Sequence, residues 1–315
     1  MDANTEAVQS SRKFGKGSRP KNIQKAHKHR RNGLIGWAFI TPFLIFFVIA
    51  IIMPIIYALY LSVFTDKLIG GRVFTGLSNY AAILTNGLFW DGLWRVIRVF
   101  LIQVPIMLGL ALLAALAIDS ARLVGRSAFR ILLFLPYAVP GVVAVLIWEF
   151  LYGNQFGLTA NINALFGLSL QPLAKNVILW SIGNIMTWSF TGYNMLILYS
   201  GLKTIPTELY EAARLDGASE WQVAWHIKVP AIKGQLLISF MFSIIGTFQL
   251  FSEPQLLQTP APNAISSSYT PNLWAYNLSL NGSQYNLAAA LAIIMGLITG
   301  VLAFVTQNHG SKNID

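Results

Sequence analysis

Polar side chains set inside long apolar runs are the residues of this 315-residue chain with chemistry to offer. Moving such groups into hydrocarbon is costly, about 2.5–3.5 kcal/mol for an acid at the centre of a membrane helix. They therefore mark places where something other than packing is at work. One apolar run carries Asn184, Trp188, Ser189, Tyr193 and Asn194, and another ends with Gln249 and Glu253. Aromatic faces for C–H surfaces, together with amides and a carboxylate for hydroxyls, suit a hydroxyl-rich small molecule. Trp188, Tyr193, Gln249 and Glu253 are the candidate pathway residues, with Gln249 one turn before Glu253 on one helical face. Glu149, near the outer end of another run, reads as interfacial. Catalysis and metal binding find no support. Cysteine is absent, which removes disulfides and thiolate sites. The four histidines, His27, His29, His226 and His309, all lie outside the apolar runs. No metal site and no catalytic constellation is expected.

The elements that must position these groups are membrane helices. The chain is 55% hydrophobic and 11% charged, with a mean hydropathy of +0.58; soluble domains carry roughly 25% charged residues. With roughly 20 residues needed per crossing, the spacing predicts spans over 35–63, 96–118, 129–151, 177–201, 235–257 and 287–306. Pro54, Pro105, Pro136 and Pro140 fall inside them, as membrane helices tolerate. The expected fold is all-α: a polytopic membrane helical bundle of about six transmembrane helices.

Charge placement orients the bundle. Net charge is +10, and Arg12, Lys13, Lys16, Arg19, Lys21, Lys25, Lys28, Arg30 and Arg31 crowd the start of the chain. With only Phe14 for stacking, this arm reads as a topology-setting tail, and nucleic acid is not expected as a partner. Arg122 and Arg126, then Lys203, Arg214, Lys228 and Lys233, lie on the same side, whereas 258–286 has no Lys or Arg. Both termini are expected in the cytoplasm. The 64–95 connection, with Lys67, Arg72 and Arg95, fits this alternation least well. The first span, about 28 apolar residues from Leu34, is too long for a cleaved signal and is expected to stay. The expected organisation is a tail over 1–33, a membrane domain over 34–307 and a second tail over 308–315.

Between the fourth and fifth spans, 207–230 is polar and helix-forming. Thr207 is placed to cap a helix with Glu208 and Glu211 near its positive end. Leu209, Ala212 and Ala213 share a face on which the small alanines admit a close partner. Gly217 supplies the left-handed residue that ends the helix, and Ser219 with Gln222 forms a capping box for a second helix. Pro230 limits that helix and marks the return to the membrane. Acids balance bases here, so docking to a protein fits better than lying on lipid headgroups.

Glu211-Ala212-Ala213, Asp216-Gly217-Ala218, Ile227 and Pro230 resemble the EAA loop of permease subunits of binding-protein-dependent ABC importers, in the carbohydrate branch. Pro42-Phe43, Arg130 with Leu135-Pro136, and Trp148 followed by Gly157 and Asn161 are similar to further fragments of that branch. Ala224, Gly234 and Thr259-Pro260-Ala261-Pro262 depart from its pattern. The resemblance implies a coupling helix seated in a cytoplasmic ATPase, with Glu211 facing a basic residue there and Gly217 at the bend. It further implies two ATPase copies, a second permease subunit, an extracellular solute-binding protein, a sugar substrate and a bacterial or archaeal cytoplasmic membrane. ATP and Mg would belong to the ATPase. This chain has no phosphate-binding loop, since Gly15-Lys16-Gly17-Ser18 lacks the spacing, and no cofactor is expected on it. Two alternatives stay open: the same mechanism with a polyol, phosphodiester or peptide, and an ion-coupled secondary transporter.

Overall fold

The computed structural model describes residues 37–67, 69–120 and 123–311. The basic arm, Arg122 and the last four residues lie outside them. The chain divides into two compact units after Ile56.

Helix α1, Trp37–Ser62, is apolar all round, and none of its most apolar stretch is buried. That is the pattern of a helix facing lipid. Its turn Val48–Ile52 is π-helical, closed by the Met53 N–H on the Val48 carbonyl. Pro54 explains the wide turn, because its ring clashes with the carbonyl four residues back and it has no N–H to offer.

The second unit, from Tyr57 onward, contains the rest of the elements. Strands β1 (Phe64–Lys67) and β2 (Gly71–Phe74) form an antiparallel hairpin with Phe64 opposite Phe74, closed by a 2.7 Å Arg72–Asp66 ion pair. This hairpin is the departure from an all-helical chain among the described residues. A short helix α2, Ser78–Leu84, leads to α3, Gly87–Asp119, whose cap is the Asn86 side chain accepting from the Leu88 N–H. Helix α3 begins well before the expected residue 96. Arg95 consequently sits on a helix, 3.2 Å from the Tyr269 carbonyl and 4.9 Å above that ring. Its charge is committed to an internal contact, and this accounts for the poor fit of the 64–95 connection to the charge alternation.

The expected third span is not one helix. It is α4, Arg126–Ala138, and α5, Gly141–Tyr152, turned through 96°. Pro140 cannot donate to the ladder and pushes Val139 into an extended conformation (φ −72°, ψ 128°). After α6, Leu158–Phe166, helix α7 runs over Ile178–Leu202, packed along α3 and α4. The polar segment holds α8, Thr207–Leu215, and α9, which covers 220–231 with a π turn at Ala224–Lys228. The expected fifth span is also divided, into α10, Lys233–Phe248, and α11, Ser252–Leu257. Helices α12, Pro271–Leu280, and α13, Tyr285–Ser311, complete the unit.

Among the described residues, four helices are long and apolar enough to cross a membrane, and the bent α4–α5 pair would make a fifth. Helix α7, at 25 residues, is long enough but is made less apolar by Ser181, Asn184, Thr187, Ser189, Thr191 and Asn194. Its polarity is turned inward: Ser181 and Asn194 are buried, and Thr187 and Thr191 donate to carbonyls one turn back. Ile178, Ile182 and Ile185 enter one core cluster, and Met195, Leu198 and Leu202 another, with Ala111, Ala115 and Ile118 of α3.

Helices α4 and α7 touch through Gly192, where an added Cβ would collide with the Leu133 carbonyl. Gly192→Val should destabilise the purified protein by about 1–3 kcal/mol, the usual cost of overpacking. Gly109→Ala on α3, where the new methyl meets open space, should leave thermal stability unchanged or slightly raised. Thermal denaturation of both variants checks the contrast.

Candidate functional site

Two features concentrate the candidate residues: the polar hairpin α8–α9 and a cavity in the bundle. The hairpin's bend is built by hydrogen bonds that only a left-handed residue permits. Gly217 has φ +84°, the Gly217 N–H donates to Arg214 O at 3.1 Å, and the Ala218 N–H donates to Ala213 O at 2.9 Å. This is a Schellman closure, with Asp216 as the C-cap. Ser219 then opens α9: its hydroxyl accepts from the Gln222 N–H while the Gln222 side chain accepts from the Ser219 N–H at 2.7 Å. Arg214 and Glu220 bridge the bend at 2.9 Å.

The start and return of the hairpin differ from expectation. Pro206 is the N-cap of α8 and Thr207 is its first helical residue, with no side-chain cap bond. Pro206, lacking an N–H and fixed in φ, starts the helix without that help. Nor does Pro230 stop α9. The helix continues to Ala231 because the preceding π turn, closed by the Val229 N–H on Ala224 O, absorbs the proline. Ile227 is half-buried in that turn and Pro230 is exposed.

Glu211, Ala212 and Asp216 are exposed, and Ala213 and Ala218 partly so. Around them stand apolar side chains that the sequence reading passed over. Leu215 is 89% exposed and Trp221 66%, with Trp225 packed edge-on to Trp221 at 5.4 Å between centroids. Two tryptophans four apart in a polar segment were the available signal, masked by their usual role at membrane interfaces. His226 is exposed, its Nδ1 3.1 Å from the Gln222 carbonyl.

The hairpin is fastened to the bundle by Asp119, also missed. This carboxylate accepts from Lys203 Nζ at 2.8 Å and Lys228 Nζ at 2.7 Å. Lys228 lies 5.0 Å over the Tyr210 ring. The Tyr210 hydroxyl is pushed up to about 12, first by burial and then by the Asp119 charge. Asp119 ends an apolar helix, and nothing local tells a reader that its partners are 84 and 109 residues on.

The cavity, about 340 Å³, lies between α3, the end of α4, α7 and α10–α11. Tyr193, Gln249 and Glu253 line it. Gln249 and Glu253 do not share a helical face, because α10 ends at Phe248 and the chain turns before α11. They meet at the break instead. Trp188 lies elsewhere, packed edge-on against Trp148 at 5.9 Å between centroids. Tyr137 stacks on Tyr193 at 4.7 Å, forming one aromatic wall. Opposite polarity comes from Gln103 and Asn194, whose amide oxygens are buried without a protein partner. Unmet acceptors of this kind cost about 1–3 kcal/mol, so a ligand's hydroxyls would gain by meeting them. Glu149 lines a separate open groove with Asn154 and Gln155. Among the described residues no cluster of His, Asp and Glu could hold a metal ion.

The break in α10–α11 is held by the loop that follows. Asn272 Nδ2 donates to Phe248 O at 2.8 Å and the Thr270 hydroxyl to Leu250 O at 2.9 Å. Interrupted membrane helices need such partners for their freed carbonyls.

Three comparisons bear on this geometry. The family described as binding-protein-dependent transport system inner membrane component matches residues 76–312. The lactose transport system permease protein LacF of Rhizobium radiobacter is 30% identical over 284 residues, covering 86% of this chain and 92% of that protein. A probable starch degradation products transport system permease protein, AmyD of Thermoanaerobacterium thermosulfurigenes, is 26% identical over 90% of this chain and 96% of its own. Among solved structures, a chain of a bacterial ABC transporter involved in the import of the acidic polysaccharide alginate has the same fold. Its TM-score is 0.80 at 18% identity, over 91% of this chain and 99% of that one.

Gly217→Val should strain the left-handed position by roughly 1–2 kcal/mol. Hydrogen exchange should then speed up at the Ala218 and Gln222 amides and stay unchanged in α3 and α7.

Proposed function

Because the chain belongs to the family of binding-protein-dependent transport system inner membrane components, and so is a membrane-spanning ABC permease subunit, not an enzyme, we propose that it passes a sugar or oligosaccharide inward. An extracellular solute-binding protein delivers the solute, and the chain works beside a second permease subunit. Two copies of a cytoplasmic ATPase, holding ATP and Mg, drive the cycle. The bilayer is that of a bacterial or archaeal cell, with both termini inside; Lys203, Arg214, Lys228 and Lys233 support that sidedness against the uncharged 258–286.

The observation that carries the reading is the bent hairpin. Its Schellman turn presents Glu211, Ala212, Leu215 and Trp221 outward, with Trp221 touching Trp225 at its edge and otherwise exposed. An exposed apolar edge on a rigid hairpin is a docking surface, and Glu211 offers it one charge for a basic groove. Drawing two such hairpins together rocks the helices on either side, α7 and α10, which line the cavity. Sugar is the proposed cargo because Tyr137 and Tyr193 supply a flat apolar face while Gln103, Asn194, Gln249 and Glu253 supply hydrogen-bonding groups.

Co-expression with its partner ABC ATPase should yield a detergent-stable complex. Glu211→Lys should lower ATP-driven uptake in vesicles by about ten-fold or more, equivalent to about 1.4 kcal/mol of coupling, with the protein still folded. Undiminished uptake counts against the hairpin as the coupling element. Asn194→Leu should reduce uptake and leave the complex intact, since it removes a cavity acceptor and touches no docking residue.

A further inference from the structure

Asp119 is the last residue of α3, yet its only charged partners in the described structure come from the two feet of the hairpin. Lys203 follows α7 directly, where the chain leaves for the hairpin. Lys228 lies in the π turn of α9, where it comes back. The side chains of Asp119 and Lys228 are 6% and 9% exposed, and that of Lys203 is 50% exposed. A carboxylate buried to this degree is kept ionised by its cations, and removing one partner of such a pair leaves an uncompensated charge in a poor solvent. The contact therefore resists separation, and α3 must follow the hairpin's feet.

Chain connectivity alone would carry hairpin motion only into α7 and α10. Helix α3 is joined to the hairpin by no short segment; it reaches the cavity through Met107 and Gln103, about three and about four and a half turns from Asp119. We propose that Asp119 is a positioning residue that makes α3 part of the moving unit, so that displacement of the hairpin reaches the Gln103–Met107 wall of the cavity. This inference rests on the transporter reading above. It adds a third helix to the coupled set and assigns that helix to one carboxylate clamped by two lysines.

The test uses the assembled transporter and the chain's lack of cysteine. Met107→Cys on α3 and Ser243→Cys on α10 each place a single thiol on this subunit at the cavity. Their rates of labelling by N-ethylmaleimide are compared with and without ATP plus orthovanadate. In otherwise unaltered protein both rates should change at least five-fold or so, the lower end of ordinary coupling between sites. Adding Asp119→Asn with Lys228→Met removes both buried charges together, which avoids the orphaned ion that either change alone would leave. Lys203, half in water, stays solvated. The nucleotide response should then vanish at Met107→Cys and persist at Ser243→Cys. A response kept at both positions overturns the proposal, and so does one lost at both, since the hairpin would then have failed to move any helix. If nucleotide alters neither position before Asp119 is touched, the transporter reading itself fails and takes this inference with it.

Discussion

Hydrocarbon offers no hydrogen bonds, and every interruption of a helix in this chain has to be answered from inside the protein. That constraint orders the whole structure. Proline sets most of the interruptions, and the fold answers them in two ways. Where the helix continues, as before Pro54, a π turn widens it and passes the ladder around the missing donor, and the polar hairpin uses the same device before Pro230. Where it must turn, as at Pro140, the helix stops and a second one departs at a steep angle. The break after Phe248 has no proline within it and depends on side chains from the next loop.

The cavity follows from the same constraint. A continuous α10–α11 helix would present one face to the bundle interior and turn the rest away. Its interruption lets Gln249 and Glu253 approach a common space from different elements, across from the tyrosine pair. Backbone cost and ligand-facing geometry thus have one origin, which is why the polar positions of this helix gather at its discontinuity.

Local signals were legible in the sequence and distant ones were not. Gly217, Ser219 and Gln222 act on neighbours within a few residues, so the bend and the capping box could be read directly from spacing. Helix α7 was placed nearly to the residue for the same reason: no proline falls within it and its ends are set locally. The angle between α4 and α5 was not legible, since a proline pair signals a disturbance without its size. The roles of Asp119, Thr270 and Asn272 were out of reach, because each satisfies a group far along the chain. Tyr193, Gln249 and Glu253 could be chosen by polarity in an apolar setting. Trp188 satisfied the same criterion and packs on Trp148 instead, an outcome that residue type alone does not separate.

Helix α3 has a consequence of another kind. Its 33 residues extend about 50 Å at the helical rise, whereas the oily interior of a bilayer is only about 30 Å thick. About thirteen of its residues exceed the roughly 20 that a crossing needs. A rod with spare length can lean, and leaning lets it match films of differing depth. The subunit is thereby suited to keep its footing as lipid composition and temperature thicken or thin the sheet around it.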